Sequence, residues 1–143
     1  MNKPKAFIFD LDFTLCHPVN RWPYDSGADD EIITSTYFLL IWLNAYRRKI
    51  PKFMGCNIII LSWRKEKDHL DESAKWLDDQ YLLYDKLILN DTSPCQPGHI
   101  FKKAKLIELQ KEYNILGVVD DDEDVIAVCK ELWIPSFLFS YNK

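Results

Sequence analysis

Five short apolar runs recur along the chain, and each stops at a polar residue. They are "KAFIFD" (5–10), "NIIILS" (57–62), "DKLILN" (85–90), "ILGVVD" (115–120) and "SFLFS" (136–140). Nearly unbroken hydrophobic runs of this length suit strands buried on both faces. Helical spacing fills the gaps. Residues 29–49 place Ile32, Ile33, Thr36, Leu39, Leu40 and Leu43 at helical intervals, then close on Arg47, Arg48 and Lys49, where cations suit the dipole. Residues 66–80 put Leu70, Ala74 and Leu77 on one face, and 99–113 and 123–132 also read as helices. The stretch 92–98, with two prolines and a glycine, is loop. Strand–helix alternation predicts an α/β fold: five parallel strands between two helical layers, with right-handed crossovers.

In open sheets of this kind ligands bind beyond the carboxyl ends of the strands, where strand order reverses. The residues there are chemically coherent. The first strand leads into Asp10, Asp12 and Thr14, the second into Ser62 and Arg64, and the fourth into Asp120, Asp121 and Asp122. Lys102, Lys103 and Lys105 open the helix before that fourth strand. Two carboxylates one residue apart at the end of a buried strand repel each other and are costly to dehydrate. A divalent cation and a lysine offset that cost, and hard carboxylate oxygens suit Mg²⁺.

Composition narrows the classes. With 143 residues, 48% of them hydrophobic, the chain is expected to form one domain over 1–143 with a proper core. A net charge of -4 gives no overall electrostatic case for nucleic-acid binding, which leaves only a local basic patch. The longest apolar stretch, 37–43, is too short to cross a bilayer, so no membrane partner is expected. The N-terminus lacks the apolar core of a signal peptide. The four cysteines are scattered without a C-x-x-C pair, and are read as reduced thiols of a cytoplasmic protein.

The ordered motifs "DLDFTL", "IIILS", a lysine before the fourth strand and "GVVDDDEDV" resemble those of haloacid dehalogenase (HAD) superfamily phosphohydrolases. A narrower likeness, carried by "RWPYD" (21–25), the Ser62-x-Arg64 pair and residues 118–139, is to the 3'-phosphatase domain of bacteriophage-type polynucleotide kinase/phosphatase. The chain departs from that family at Phe13 and Trp63, where glycine is common, and at Asp122, where arginine is frequent. It carries no kinase P-loop, so no kinase activity is expected.

The resemblance implies a HAD-like Rossmannoid fold, three-layer α/β/α, with minimal or no cap domain. Residues 13–28 and 91–99 are too short for a large one, which leaves the site open to a large substrate. It implies Asp10 as nucleophile. Asp12 is the implied general acid and base, its backbone carbonyl also binding metal. Thr14 orients Asp12, and Ser62 donates to the transferring phosphoryl group. The metal set is Asp10, Asp12, Asp120 and Asp121. Arg64 is expected to grip a phosphate. Lys102, with Leu106 and Leu109 at plus four and plus seven, fits the phosphate-binding lysine better than Lys103, which is kept as a second substrate contact. Asp122, Glu123 and Asp124 read as helix N-terminal acids. Trp22 and Trp63 fall on loops near the site and read as packing residues, with base stacking as the alternative.

The expected reaction is Mg²⁺-dependent phosphomonoester hydrolysis through an aspartyl-phosphate. The first substrate is a polynucleotide 3'-phosphate end, the second a nucleoside monophosphate. A catalytically idle module that binds metal or a partner is the alternative of another class.

Overall fold

A computed structural model of the chain describes residues 2–17, 30–47, 49–50 and 54–140. The main elements, in chain order, are β1 (Lys5–Phe9), β2 (Cys16–His17), β3 (Glu31–Ile32), α1 (Thr34–Tyr46), β4 (Asn57–Lys65), α2 (Glu66–Asp79), β5 (Lys86–Asn90), α3 (Gly98–Glu112), β6 (Asn114–Asp120), α4 (Glu123–Glu131) and β7 (Ser136–Leu138). Five strands form one sheet in the order β5-β4-β1-β6-β7, and every neighbouring pair is parallel. The expected five-stranded parallel sheet is thus present.

Alternation along the strands divides the core into two layers, because successive side chains leave a strand on opposite faces. Ala6 and Ile8 of β1, with Ile59 and Leu61 of β4, pack against Phe101, Leu106 and Leu109 of α3 and Val125 and Val128 of α4. Phe9, Ile58 and Ile60 face the other way, onto Leu40 and Leu43 of α1 and Trp76 and Leu77 of α2. Gly117 of β6 allows a close approach. A Cβ there would stand 2.9 Å from the Phe137 ring and 3.2 Å from the Phe7 ring. The β1–β6 register shifts at the same level.

Two boundaries differ from expectation for local reasons. The first helix starts at Thr34, not at 29, because Glu31 and Ile32 pair antiparallel with His17 and Cys16. The second strand runs past Ser62 to Lys65, with its register to β5 shifting between Leu61 and Lys65. The β2–β3 ribbon is the one small addition to the sheet and its helices among the described residues. "RWPYD" and Trp22 lie outside the described residues.

Strand order places the site. From β1 the chain moves to β4 and β5 on one side, then crosses to β6 and β7 on the other. The crevice of this reversal opens beside the carboxyl end of β1, between it and β6.

Candidate active site

The chain leaves β1 through a tight turn. Asp10 donates its N–H to Val119 O at 2.9 Å, which continues the ladder to β6 one residue further. The Leu11 carbonyl then accepts from the N–H groups of Leu15 at 2.8 Å and Cys16 at 3.0 Å, and Phe13 N–H donates to Cys16 O at 2.8 Å. Phe13 is forced to φ 62°, a left-handed conformation that a side chain resists. Here the resembling family commonly has glycine, which adopts that angle without cost. This turn presents Asp10 and Asp12 to two different surroundings.

Asp10 faces the crevice. Lys102 of α3 donates to Asp10 Oδ1 at 2.8 Å and to Asp120 Oδ2 at 2.6 Å, and all three side chains are buried. Thr14 donates to the other Asp10 oxygen, Oδ2, at 3.2 Å. Asp121 completes the group, for carboxylate oxygens of Asp10, Asp120 and Asp121 lie within 4.8 Å of one another. A cavity of about 180 Å³ opens on them, with Trp63, Gly98 and Lys102 in its lining.

Charge in this group is out of balance. Burial, with repulsion from Asp120 added, lifts the Asp10 carboxyl well above the usual carboxylate range, against the pull of Lys102. Burial likewise lifts Asp121. Burial also works against the charge on Lys102, yet the Asp10 and Asp120 carboxylates override it and hold the ammonium above its ordinary pKa. Among the described residues, one ammonium thus faces three carboxylates in low dielectric. The set is all hard oxygen and fits a small divalent cation. Two of the larger hollows measure about 610 Å³, beside Lys3, Lys5 and Trp133, and about 410 Å³, between Trp42 and Phe137. Neither gathers groups with comparable chemistry.

Asp12 faces the other way, into a sealed cluster. Arg64 grips both its oxygens, Nε to Oδ2 at 2.9 Å and Nη2 to Oδ1 at 2.7 Å. The same guanidinium donates to Asp30 Oδ2 at 2.9 Å and to Ser73 Oγ at 3.0 Å. Cys16 joins it, its thiol 3.5 Å from Asp12 Oδ1 and its sulfur 3.4 Å from Arg64 Nη2. Burial and the Asp12 charge push that thiol well above its ordinary pKa. Trp76 Nε1 donates to the Asp30 carbonyl at 3.0 Å. Asp12, Asp30, Arg64, Ser73 and Cys16 are all buried.

Several expected contacts are therefore rearranged. Arg64 is buried on two carboxylates, in place of the open phosphate grip expected of it. Lys103 is half exposed and pairs with Glu131 at 3.0 Å, away from the cavity. Lys102 and Lys103 differ because adjacent helical residues point about 100° apart, and Lys102 shares the face of Leu106 and Leu109. Thr14 bonds Asp10, where the resemblance implied Asp12. Ser62 is buried inside β4 and accepts the Arg64 N–H at 3.2 Å. Asp122 caps α4 by accepting from Asp124 N–H at 2.8 Å, with Glu123 and Asp124 in the first turn as expected. Trp63 lines the cavity and is tied by Nε1 to Gln96 O at 2.6 Å.

Asp30, Ser73 and Trp76 had not been marked by sequence reasoning. Ser73 carried a usable signal, a small polar residue on the same helix face as Leu70, Trp76 and Leu77.

A lysine bridging the acids that end two neighbouring parallel strands, at the point where strand order reverses, is the arrangement of a HAD-type phosphatase, and comparison with solved structures agrees on the fold. The D,D-heptose 1,7-bisphosphate phosphatase of B. bronchiseptica, complexed with magnesium and phosphate, superposes with a TM-score of 0.61 at 10% identity, over 94% of this chain and 79% of that one. The expected HAD-like architecture is borne out, and the described residues show no large cap. The family is narrower still. The polynucleotide kinase PNKP phosphatase domain family matches residues 4–142, and the chain belongs to it. Two structures of a Pnkp1/Rnl/Hen1 complex, one of them titled an RNA repair complex, each contain a chain that is 28% identical with a TM-score of 0.84. The match covers 99% of this chain but 44% and 47% of those, so this chain spans less than half their length. No curated protein sequence matches it.

Proposed function

We propose that this phosphatase domain hydrolyses phosphomonoesters with Mg²⁺ through an aspartyl-phosphate on Asp10, and that its substrate is a polynucleotide 3'-phosphate. The observation that carries the reading is the Asp10–Lys102–Asp120 bridge, with Asp121 beside it, open to a cavity at the β1–β6 crevice. Asp10 attacks phosphorus, and its new bond forms as the bond to the leaving oxygen breaks. Lys102 and Thr14 hold the two Asp10 oxygens, so the attacking carboxylate is oriented before substrate arrives. The resemblance assigns Asp12 the proton given to the departing 3'-oxygen and the one taken from the water that attacks the aspartyl-phosphate, which releases phosphate and restores Asp10; in this role the Asp12 carboxyl has to turn out of the Arg64 fork toward the cavity. Mg²⁺, held by Asp10, Asp120, Asp121 and the Asp12 backbone carbonyl, would neutralise charge on the phosphoryl oxygens. The resemblance supports the Asp12 carbonyl and the Ser62 hydroxyl as contacts of metal and phosphate.

Family membership and the relatives in an RNA repair complex support a nucleic-acid end as substrate. So does the shortness of the segments 13–28 and 91–99, which leaves no length for a large cap. The test is a panel at neutral pH with Mg²⁺: a 3'-phosphorylated oligonucleotide, nucleoside monophosphates and p-nitrophenyl phosphate. The oligonucleotide is expected to be turned over at the highest kcat/KM. Brisk hydrolysis of mononucleotides with an inert oligonucleotide would reassign the substrate, and Asp10→Asn matching the wild type would point to an idle binding module.

A further inference from the structure

The hollow of about 610 Å³ lies at the opposite end of the sheet from the candidate active site. Lys5 begins β1 and Asn114 begins β6, whereas Asp10 and Asp120 stand at the far ends of these strands. At about 3.3 Å per residue the two places are about 20 Å apart. We infer that this hollow binds single-stranded nucleic acid, with a base stacked on Trp133 and phosphates paired with Lys3 and Lys5. The inference does not depend on the phosphatase reaction.

Trp133 is the first observation. An aromatic ring usually serves a fold by burial, and this one is 93% exposed. Its backbone sits at φ 59°, the left-handed region that a bulky side chain resists. The cause is the end of α4. Trp133 N–H donates to Lys130 O at 3.2 Å and Ile134 N–H to Cys129 O at 2.9 Å. Together these bonds form a Schellman motif, whose left-handed position ordinarily takes glycine. The fold thus gains little burial from this ring and bears a conformation that glycine adopts at less cost. A ring held out in water beside a hollow is a stacking platform, since every base has a π-face.

Charge is the second observation. Among the described residues, Lys3 and Lys5 line the hollow and no acid does. The whole chain carries a net charge of -4, so the sign is reversed locally. Asn2, Gln110 and Asn114 add amides that can donate to phosphates and base edges. The volume suits a nucleotide unit, since ligand pockets run from about 300 to 1,000 Å³. Gln110 ties the two sides together. Its carbonyl accepts from Lys3 Nζ at 2.6 Å, and its side-chain amide donates to Leu132 O at 2.9 Å, one residue before Trp133. An ammonium carries three donors, and the Gln110 carbonyl takes one.

The test is anisotropy of a fluorescein-labelled oligothymidine of about twelve nucleotides with a 3'-hydroxyl, which is no phosphatase substrate. The wild type is expected to bind it with a Kd of about 10⁻⁴–10⁻⁶ M, and more tightly than a duplex, whose bases are already stacked. Trp133→Gly should weaken binding about tenfold while Tm holds or rises. Joint Lys3→Gln and Lys5→Gln substitution should lower the slope of log K against log salt by about 0.7 per phosphate, or about 1.4 in all. Poly-glutamate, which has charge without bases, should leave the oligonucleotide bound. If Trp133→Gly is not recovered folded, Trp133→Asn, which also tolerates the left-handed region, carries the same test. Binding or a salt slope that these variants leave unchanged, equal affinity for duplex, displacement by poly-glutamate, or a fall in Tm in step with the lost binding would each overturn the inference. Phosphate release from p-nitrophenyl phosphate should be the same in wild type and Trp133→Gly. An active chain without Trp133-dependent binding sinks the second site alone, whereas a binding chain that releases no phosphate sinks the phosphatase reading alone.

Discussion

Asp10 and Asp12 stand two residues apart on one turn, and they end in opposite kinds of surroundings. Asp10 belongs to a cluster that opens on a cavity, where Lys102 is shared between carboxylates and Asp121 remains close by. Asp12 belongs to one in which the Arg64 fork bonds two carboxylates and a hydroxyl, and everything is buried. Among the described residues, the open cluster is short of positive charge beside a cavity, which suits it to a divalent cation. The sealed one spends its cation on geometry. Burying an ion costs several kcal/mol, which is recovered only with excellent pairing. That pairing is present around Arg64, which ties the turn after β1 to Asp30 and to Ser73 of α2.

The sharpest way to break this contrast is at its open end. Asp10→Asn is expected to abolish release of phosphate from a 3'-phosphorylated oligonucleotide, by about 10⁴-fold or more, while circular dichroism shows an intact fold. Residual activity near wild type would mean that the open cluster is not the reactive one.

Next come the two cations. Lys102→Met and Arg64→Met each strand buried carboxylates, and each should destabilise the fold by about 3–5 kcal/mol in urea unfolding. They should differ in rescue. Mg²⁺ is expected to restore part of the Lys102→Met loss, because the open cluster accepts a cation, and to do little for Arg64→Met. Equal rescue of both would erase the distinction between the clusters.

Part of this site was legible in the sequence, because the first and fourth apolar runs stop at acids that the structure brings together. Asp10, Asp12, Asp120 and Asp121 follow buried strands, and parallel topology brings strand ends together. Helical phase favoured Lys102 over Lys103, and Lys102 is the one that reaches Asp10. The sealed cluster was hidden for physical reasons. Asp30 approaches Arg64 from 34 residues upstream. It stands just ahead of a ribbon of two-residue strands, too short to leave a period in the sequence. Arg64 was read as a phosphate ligand because a cation beside a phosphate site suggests one, and its burial on two acids depends on contacts that no local pattern reports. The swap of Thr14 from Asp12 to Asp10 follows from the Phe13 turn, whose positive φ a non-glycine residue gave no warning of.

Smaller effects sharpen the picture at its edges. Phe13→Gly relieves the left-handed strain and should raise stability by about 1 kcal/mol, read as a rise of roughly 2–4 °C in Tm. A fall would show that the Phe13 ring is needed where it lies. Lys103→Ala, at an exposed ion pair with Glu131, should change both kcat/KM and stability by less than about twofold and 1 kcal/mol. A large loss of oligonucleotide turnover would return Lys103 to the substrate site.

The most direct test of phosphoryl transfer to Asp10 is a rapid-quench experiment with a 3'-radiophosphorylated oligonucleotide and Mg²⁺. Radiolabel should appear on the protein before free phosphate, be released by hydroxylamine, map to the peptide carrying Asp10, and vanish in Asp10→Asn. Turnover without any protein-bound label at times before the first cycle ends, or label on a different residue, would contradict it.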